Sequence, residues 1–178
     1  EDDGGAGAVS ASMLQLKTEA LERFAIIRAI HVKMQKALQS KGPHDKAYLK
    51  LQQQVSDELL NIRFTSRSIE RLCDSVRGMV DLVRGSERKI QQICVDRVKM
   101  PRPHFIQSFP GNEVNLDWAD GEIAAAPKTY VAILTRNGPA IKEEQKKLLA
   151  LQDRIGIPLK DLKDINKQMS TGEAKARR

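Results

Sequence analysis

Apolar residues recur along this chain every three to four positions, the period of a helix with one buried face, and no stretch alternates as a strand would. From about Met13 to Gln39 the repeat runs through Leu14, Leu16, Leu21, Phe24, Ile27, Ile30, Met34 and Leu38. That predicts an amphipathic helix of about seven turns. Gly42-Pro43 ends it, and Ala47, Leu51, Val55, Leu59 and Ile62 form the stripe of a second helix over about His44 to Asn61. The short link predicts an antiparallel pair. A third and longest helix is predicted over 66–98, through Ile69, Leu72, Cys73, Val76, Met79, Val80, Val83, Ile90, Ile93, Cys94 and Val98. Gly78 and Gly85 interrupt its good helix formers and mark either a bend or close packing. Pro101 stops it, with Pro103 just beyond.

Between Met100 and Lys128 the texture changes to prolines, glycines and acids around the single Trp118. A compact link is expected there, with a short helix at Pro103–Phe109 and Trp118 pinning the loop onto the helices. A further helix is expected from about Lys128, interrupted at Gly138-Pro139 and resuming to Arg154. Gly156 caps it, and Pro158 opens a short helix through Leu162, Ile165 and Met169. Residues 1–12, glycine-rich and acidic, read as a disordered lead-in. The fold expected is all-α, an irregular bundle of about five to six helices.

Composition narrows the function. Aromatics are 4% of the chain, too few for a platform that stacks single-stranded bases. No apolar run reaches the roughly 20 residues of a membrane helix. The net charge of +7 is unevenly spread: residues 65–102 carry nine Lys/Arg against five Asp/Glu, and 136–178 carry eleven against six. Such an excess attracts nucleic acid or an acidic protein surface. Cys73 and Cys94 lie 21 residues apart on one predicted helix, roughly 31 Å along its axis. A disulfide needs Cα atoms within about 7 Å, so both are read as free thiols suited to a reducing cytoplasm.

Catalytic signals are absent. There is no nucleophile elbow, phosphate-cradling glycine loop or HExxH helix, and no cysteine–histidine cluster for zinc. Glu143 and Glu144 are neighbours on a helix and point about 100° apart. His31, His44 and His104 stand alone. The chain is read as no enzyme, with no cofactor, metal or small-molecule substrate. The candidate chemistry is basic: Arg77, Arg84 and Arg88, seven and four residues apart, share one face of the long helix. Phosphate contact needs only such a stripe. Lys175, Arg177 and Arg178 form a second group.

The last fifteen residues carry the strongest signal. Ser170 and Glu173 stand at the spacing of a capping box, and Ala174-Lys175-Ala176-Arg177-Arg178 begin what reads as a new helix. With Glu1 in place of an initiator Met, the chain reads as a piece of something longer. Asp164-Ile165-Asn166, Met169-Ser170 and Gly172-Glu173-Ala174-Lys175-Ala176-Arg177-Arg178 resemble the entry to the second conserved region of bacterial primary (housekeeping) sigma factors. A second block, Cys94-Val95, Lys99-Met100-Pro101, Phe105-Ile106, Phe109, Gly111-Asn112-Glu113 and Trp118, resembles the same family's non-conserved region.

The resemblance implies a helical non-conserved region over 13–157 and the start of the conserved core-binding and promoter-recognition region over 158–178. It implies a cytoplasmic transcription initiation factor that directs core RNA polymerase to promoters and works without a membrane. The partners implied are the clamp of the polymerase's largest subunit and, for the full-length protein, promoter DNA. Arg77, Arg84, Arg88, Lys175, Arg177 and Arg178 are then the candidate contacts, with Pro101, Trp118, Ser170 and Glu173 structural. Two other readings fit the residues alone: a structural helical adaptor packing against a partner protein, and a nucleic-acid-binding bundle unrelated to transcription.

Overall fold

The computed structural model describes residues 4–176, with side chains from residue 11 onward. Among these residues every regular element is helical: α1 (Gly4–Lys41), α2 (Lys46–Leu60), α3 (Ser66–Gln91), a π-helical segment (Gln92–Arg97), α4 (Arg102–Ser108), α5 (Trp118–Ala125), α6 (Val131–Ile155) and α7 (Leu159–Ala176). The all-α expectation holds. The chain divides into two compact units, Glu1–Ser66 and Arg67–Arg178.

In the first unit α1 and α2 pack as a hairpin. Gly42 supplies the left-handed turn (φ 86°), and the Asp45 side chain caps α2 by accepting the Ala47 N–H at 2.8 Å. Arg23 faces Glu58 at 4.0 Å, which sets the antiparallel register. At 1.5 Å per residue α1 is about 57 Å long and α2 about 22 Å. The start of α1 therefore overhangs its partner, leaving Met13, Leu14, Leu16 and Leu21 exposed. Residues 4–12, expected to be a disordered lead-in, belong to α1. No proline stands between them and Lys41, and extending a formed helix costs far less than starting one.

The second unit is a bundle of α3, α6 and α7 closed by α4 and α5. Its core draws Val80, Val83 and Ile90 from α3, Leu134, Ile141 and Leu148 from α6, and Leu159 and Leu162 from α7. The third helix does not run to Val98 as α-helix. From Gln92 it widens to π geometry, with the Val98 N–H donating to the Ile93 carbonyl at 2.9 Å. Lys99 then adopts a left-handed conformation (φ 65°), and this reversal carries Met100 into the core and delivers the chain to Pro101. Gly78 and Gly85 are not close-packing sites: a Cβ at either would meet nothing within 4 Å.

Two further corrections concern helix continuity. The expected interruption at Gly138-Pro139 does not occur, because α6 spans Val131–Ile155 with Pro139 inside it. Pro139 has no N–H to give the Thr135 carbonyl, but neighbouring core residues Leu134 and Ile141 hold the helix on both sides. Gly138 has a packing role, since a Cβ there would lie 3.4 Å from Ile123 Cδ1 on α5. Likewise no capping box forms at Ser170 and Glu173. The helix α7 runs unbroken from Leu159 to Ala176, and the Ser170 hydroxyl donates back to the Asn166 carbonyl at 2.9 Å. Nothing before Gly172 breaks the helix, so continuing it is easier than capping a new one. Gly156 ends α6 in the left-handed conformation expected of it (φ 77°).

Candidate functional site

The basic face of the second unit follows from the register of α3. With Val80, Val83 and Ile90 turned into the core, Arg84 and Arg88 must point outward, one turn apart. Both are exposed, and the Arg88 Nε donates to the Arg84 carbonyl at 3.2 Å. Among the described residues neither guanidinium has an acidic partner. They border a shallow hollow of about 570 Å³ whose floor includes Phe105, Phe109 and Lys163. A second open hollow of about 710 Å³ continues from Arg84 along α7, past Lys163, Asn166, Lys167 and Ser170. Glu87 and Glu113 share the Lys163 ammonium, Glu113 at 3.7 Å, and neither forms an ion pair with Arg84 or Arg88.

Arg77 is placed differently from the other two. Its guanidinium bonds Asp74 at 2.7 Å and, across the bundle, the carboxylate of Glu173. The bond to Glu173 outweighs partial burial and pushes its pKa up. It is committed within the chain, and the stripe of three arginines reduces to two. Lys175 is exposed near the end of α7, away from this pair in sequence, while Arg177 and Arg178 lie outside the described residues.

The remaining candidates are structural. Pro101 precedes α4, and its carbonyl accepts the Phe105 N–H at 3.1 Å. Trp118 is buried at 6% exposure, edge-on to Phe109 at 5.0 Å and to Phe105 at 6.2 Å, while the two phenyl rings stack at 4.9 Å. These ring contacts hold the link after α4 to α5. Cys94 is fully buried, and burial, aided by the charge of Glu122, pushes its thiol up to about 12. Cys73 is half-buried, its pKa raised first by burial and then by its hydrogen bond with Glu173. Both are poor nucleophiles. His104 meets Glu122 at 2.7 Å as a surface tie between α4 and α5.

Sequence reasoning missed two devices that position this face. Gln145 is completely buried and donates to the carbonyls of Asn112 (3.0 Å) and Asn115 (2.8 Å), fastening the loop before α5 to α6. Its position between Ile141 and Leu148 on the apolar stripe was the available signal. Glu144 beside it is also buried, bonding Lys147 at 2.7 Å and facing Lys89 at 3.8 Å. Burial works to raise its pKa, but hydrogen bonds from Lys147 and Ser86 and the charges of Lys147 and Lys89 hold it below the usual value. Among the described residues no group of three acids, cysteines or histidines is placed to hold a metal. The arrangement offers no reacting centre. It offers a helical face on which Arg84 and Arg88 stand exposed among the mixed charges of Asp81, Glu87, Glu113 and Lys163.

The model of a family described as the non-essential region of sigma-70 matches residues 1–152. The RNA polymerase sigma factor RpoD of Neisseria gonorrhoeae is 36% identical over 164 residues, which is 92% of this chain and 25% of that protein. The chain thus spans about a quarter of the length of the relative it matches.

Proposed function

This chain belongs to the sigma-70 non-essential region family, and we propose that it is a helical module of a sigma factor that directs core RNA polymerase to promoters. In that reading residues 13–157 are the non-conserved region, and residues 158–178 begin the conserved region that binds polymerase and recognises promoters. It acts by binding and is no enzyme. The family match over residues 1–152 carries the proposal, because it embraces the hairpin and most of the bundle.

Arg84 and Arg88 are the residues proposed to meet the partner, an acidic surface on the clamp of the polymerase's largest subunit. Their exposure and lack of an internal carboxylate favour this, since neither has to leave a partner in order to bind. The same pair, one turn apart, can also lie against duplex phosphates upstream of the promoter's melted segment. A cytoplasmic setting agrees with the two unbridged thiols, and among the described residues no helix is long and apolar enough to cross a membrane.

The test is titration of the chain against purified core polymerase, with an unrelated basic helical protein as control. Saturable binding is expected, weakened roughly three- to tenfold in the Arg84→Ala/Arg88→Ala variant. Binding no better than the control returns the chain to the adaptor reading. With upstream promoter duplex in place of polymerase, removing a phosphate-contacting pair in that same variant should lower the salt slope by roughly two. An unchanged slope removes the DNA contact and leaves the polymerase contact standing.

A further inference from the structure

The two ends of α7 are held to the bundle by different physics. Its first turns are anchored by Leu159 and Leu162, at 3% and 2% exposure within the core. Past Leu162 that anchorage fades. Ile165 is 42% exposed, and Ala174, Lys175 and Ala176 face solvent. In their place stands a polar interface with α3. Lys163 pairs with Glu87, and ten residues later Glu173 pairs with Arg77, ten residues earlier on α3. This matched spacing fixes an antiparallel register, with the two ties roughly 15 Å apart along each helix. Beside this interface an open hollow is lined by Arg84 of α3 and by Asn166, Lys167, Ser170 and Ala174 of α7, and Met169 is the one partly buried apolar side chain of α7 beyond Leu162.

At the outer tie Glu173 accepts from the Arg77 guanidinium, which Asp74 also holds, and bonds the Cys73 thiol. Two neighbouring α3 side chains, Cys73 and Arg77, thus meet one α7 carboxylate, and Asp74 holds Arg77 in place. The side chains of Arg77 and Glu173 keep 39% and 31% of their exposure, so water and salt reach the tie. An apolar anchor opens only when core area is re-exposed, whereas a half-exposed ion pair opens for at most about 1 kcal/mol.

We propose that the turns of α7 from Asn166 to Ala176 form a latch, fastened to α3 through Glu173 and able to open while the rest of the bundle stays folded. If the chain works within a sigma factor as set out above, the latch ties the segment beginning at residue 158 back onto α3 of the helical insert. The latch itself does not depend on that reading, and its test involves neither polymerase nor DNA.

Amide hydrogen exchange on the whole chain, resolved by peptide, tests it. The Glu173→Gln variant should exchange roughly two- to fivefold faster over residues 166–176, with residues 131–155 unchanged. Raising salt should reproduce that pattern in the native chain and have little further effect in the variant. The charge-swapped pair, Arg77→Glu with Glu173→Arg, should recover part of the protection that Arg77→Glu alone removes. Unchanged exchange in Glu173→Gln would overturn the latch. So would a uniform rise through α3, α6 and α7, because the tie would then be part of the global fold. Failure of the swap to recover any protection would also count against it.

Discussion

Tyr48 is the one buried apolar residue of the hairpin among the described residues, whereas the bundle buries Val83, Ile90, Cys94, Val98, Leu134, Ile141 and Leu148 to complete exclusion from solvent. Both units are built from the same three-to-four-residue periodicity. They differ in how many partners each stripe finds. In the hairpin, α1 packs against α2, and Ile27, Ile30, Met34 and Leu38 stay half-buried. In the bundle each stripe meets two others, and the aromatic trio of Phe105, Phe109 and Trp118 closes the end. An amphipathic pattern therefore reports which face will be covered, and the number of neighbours decides how well. A single pair of helices buries too little area to be robust alone, whereas a closed core can be.

The strongest test of this contrast is truncation on either side of it. Leu148→Ala, at a site with no solvent exposure, should lower the unfolding free energy of the bundle by about 2–5 kcal/mol. Leu38→Ala in the hairpin should cost about 1 kcal/mol or less, because its half-buried side chain leaves no closed cavity. Trp118 is the only tryptophan and sits in the bundle core, so its fluorescence in urea follows the bundle specifically. If Leu38→Ala moved the Trp118 transition as far as Leu148→Ala does, the two units would be unfolding as one, and the contrast between them would fall.

The long helix can be improved where the hairpin comparison says nothing is packed. Gly78 and Gly85 face open space, so Ala at either should raise bundle stability by about 0.5–1 kcal/mol through the lower entropy of its unfolded chain. Thermal unfolding by circular dichroism would register this as a small upward shift in Tm. A loss at either position would mean that the backbone there is required to bend.

Much of this architecture was legible in residue order, and what was not has an identifiable cause. The stripes of α1, α2 and α3 and the stops at Gly42-Pro43, Pro101 and Gly156 are local signals. They needed no knowledge of neighbours. The π turn was hidden because Ile90, Ile93, Cys94 and Val98 are compatible with an ordinary α-helix, and only the need to bury Met100 as well exposes the extra residue. Gly138-Pro139 looks like a break locally, yet tertiary packing carries the helix through it. At the basic face, Arg77, Arg84 and Arg88 share one helical side, but the carboxylate that claims Arg77 lies 96 residues away. Helical spacing places a residue on a face; it cannot say which distant residue answers it.

The smallest expected effect concerns the buried carboxylate of Glu144, a polar feature with no counterpart among the buried residues of the hairpin. Burial opposes its ionised form, but the hydrogen bonds from Lys147 and Ser86 and the charges of Lys147 and Lys89 prevail, so its folded-state pKa lies below the ordinary 4.5. The unfolded chain then takes up the proton first as the solution is acidified. Stability contributed by this group is complete above pH 4.5 and is lost as pH falls through that value towards the lower folded one. Its second oxygen, Oε2, is buried without a hydrogen-bond partner, which offsets part of the gain and keeps the effect small. Glu144→Gln should therefore be slightly less stable than the native chain at neutral pH and indistinguishable from it once Glu144 is protonated. Urea midpoints read by Trp118 fluorescence from pH 7 to pH 3 would show the two curves converging. Curves that instead diverged on acidification would mean that desolvation outweighs the lysines and that the carboxyl is held above its ordinary value.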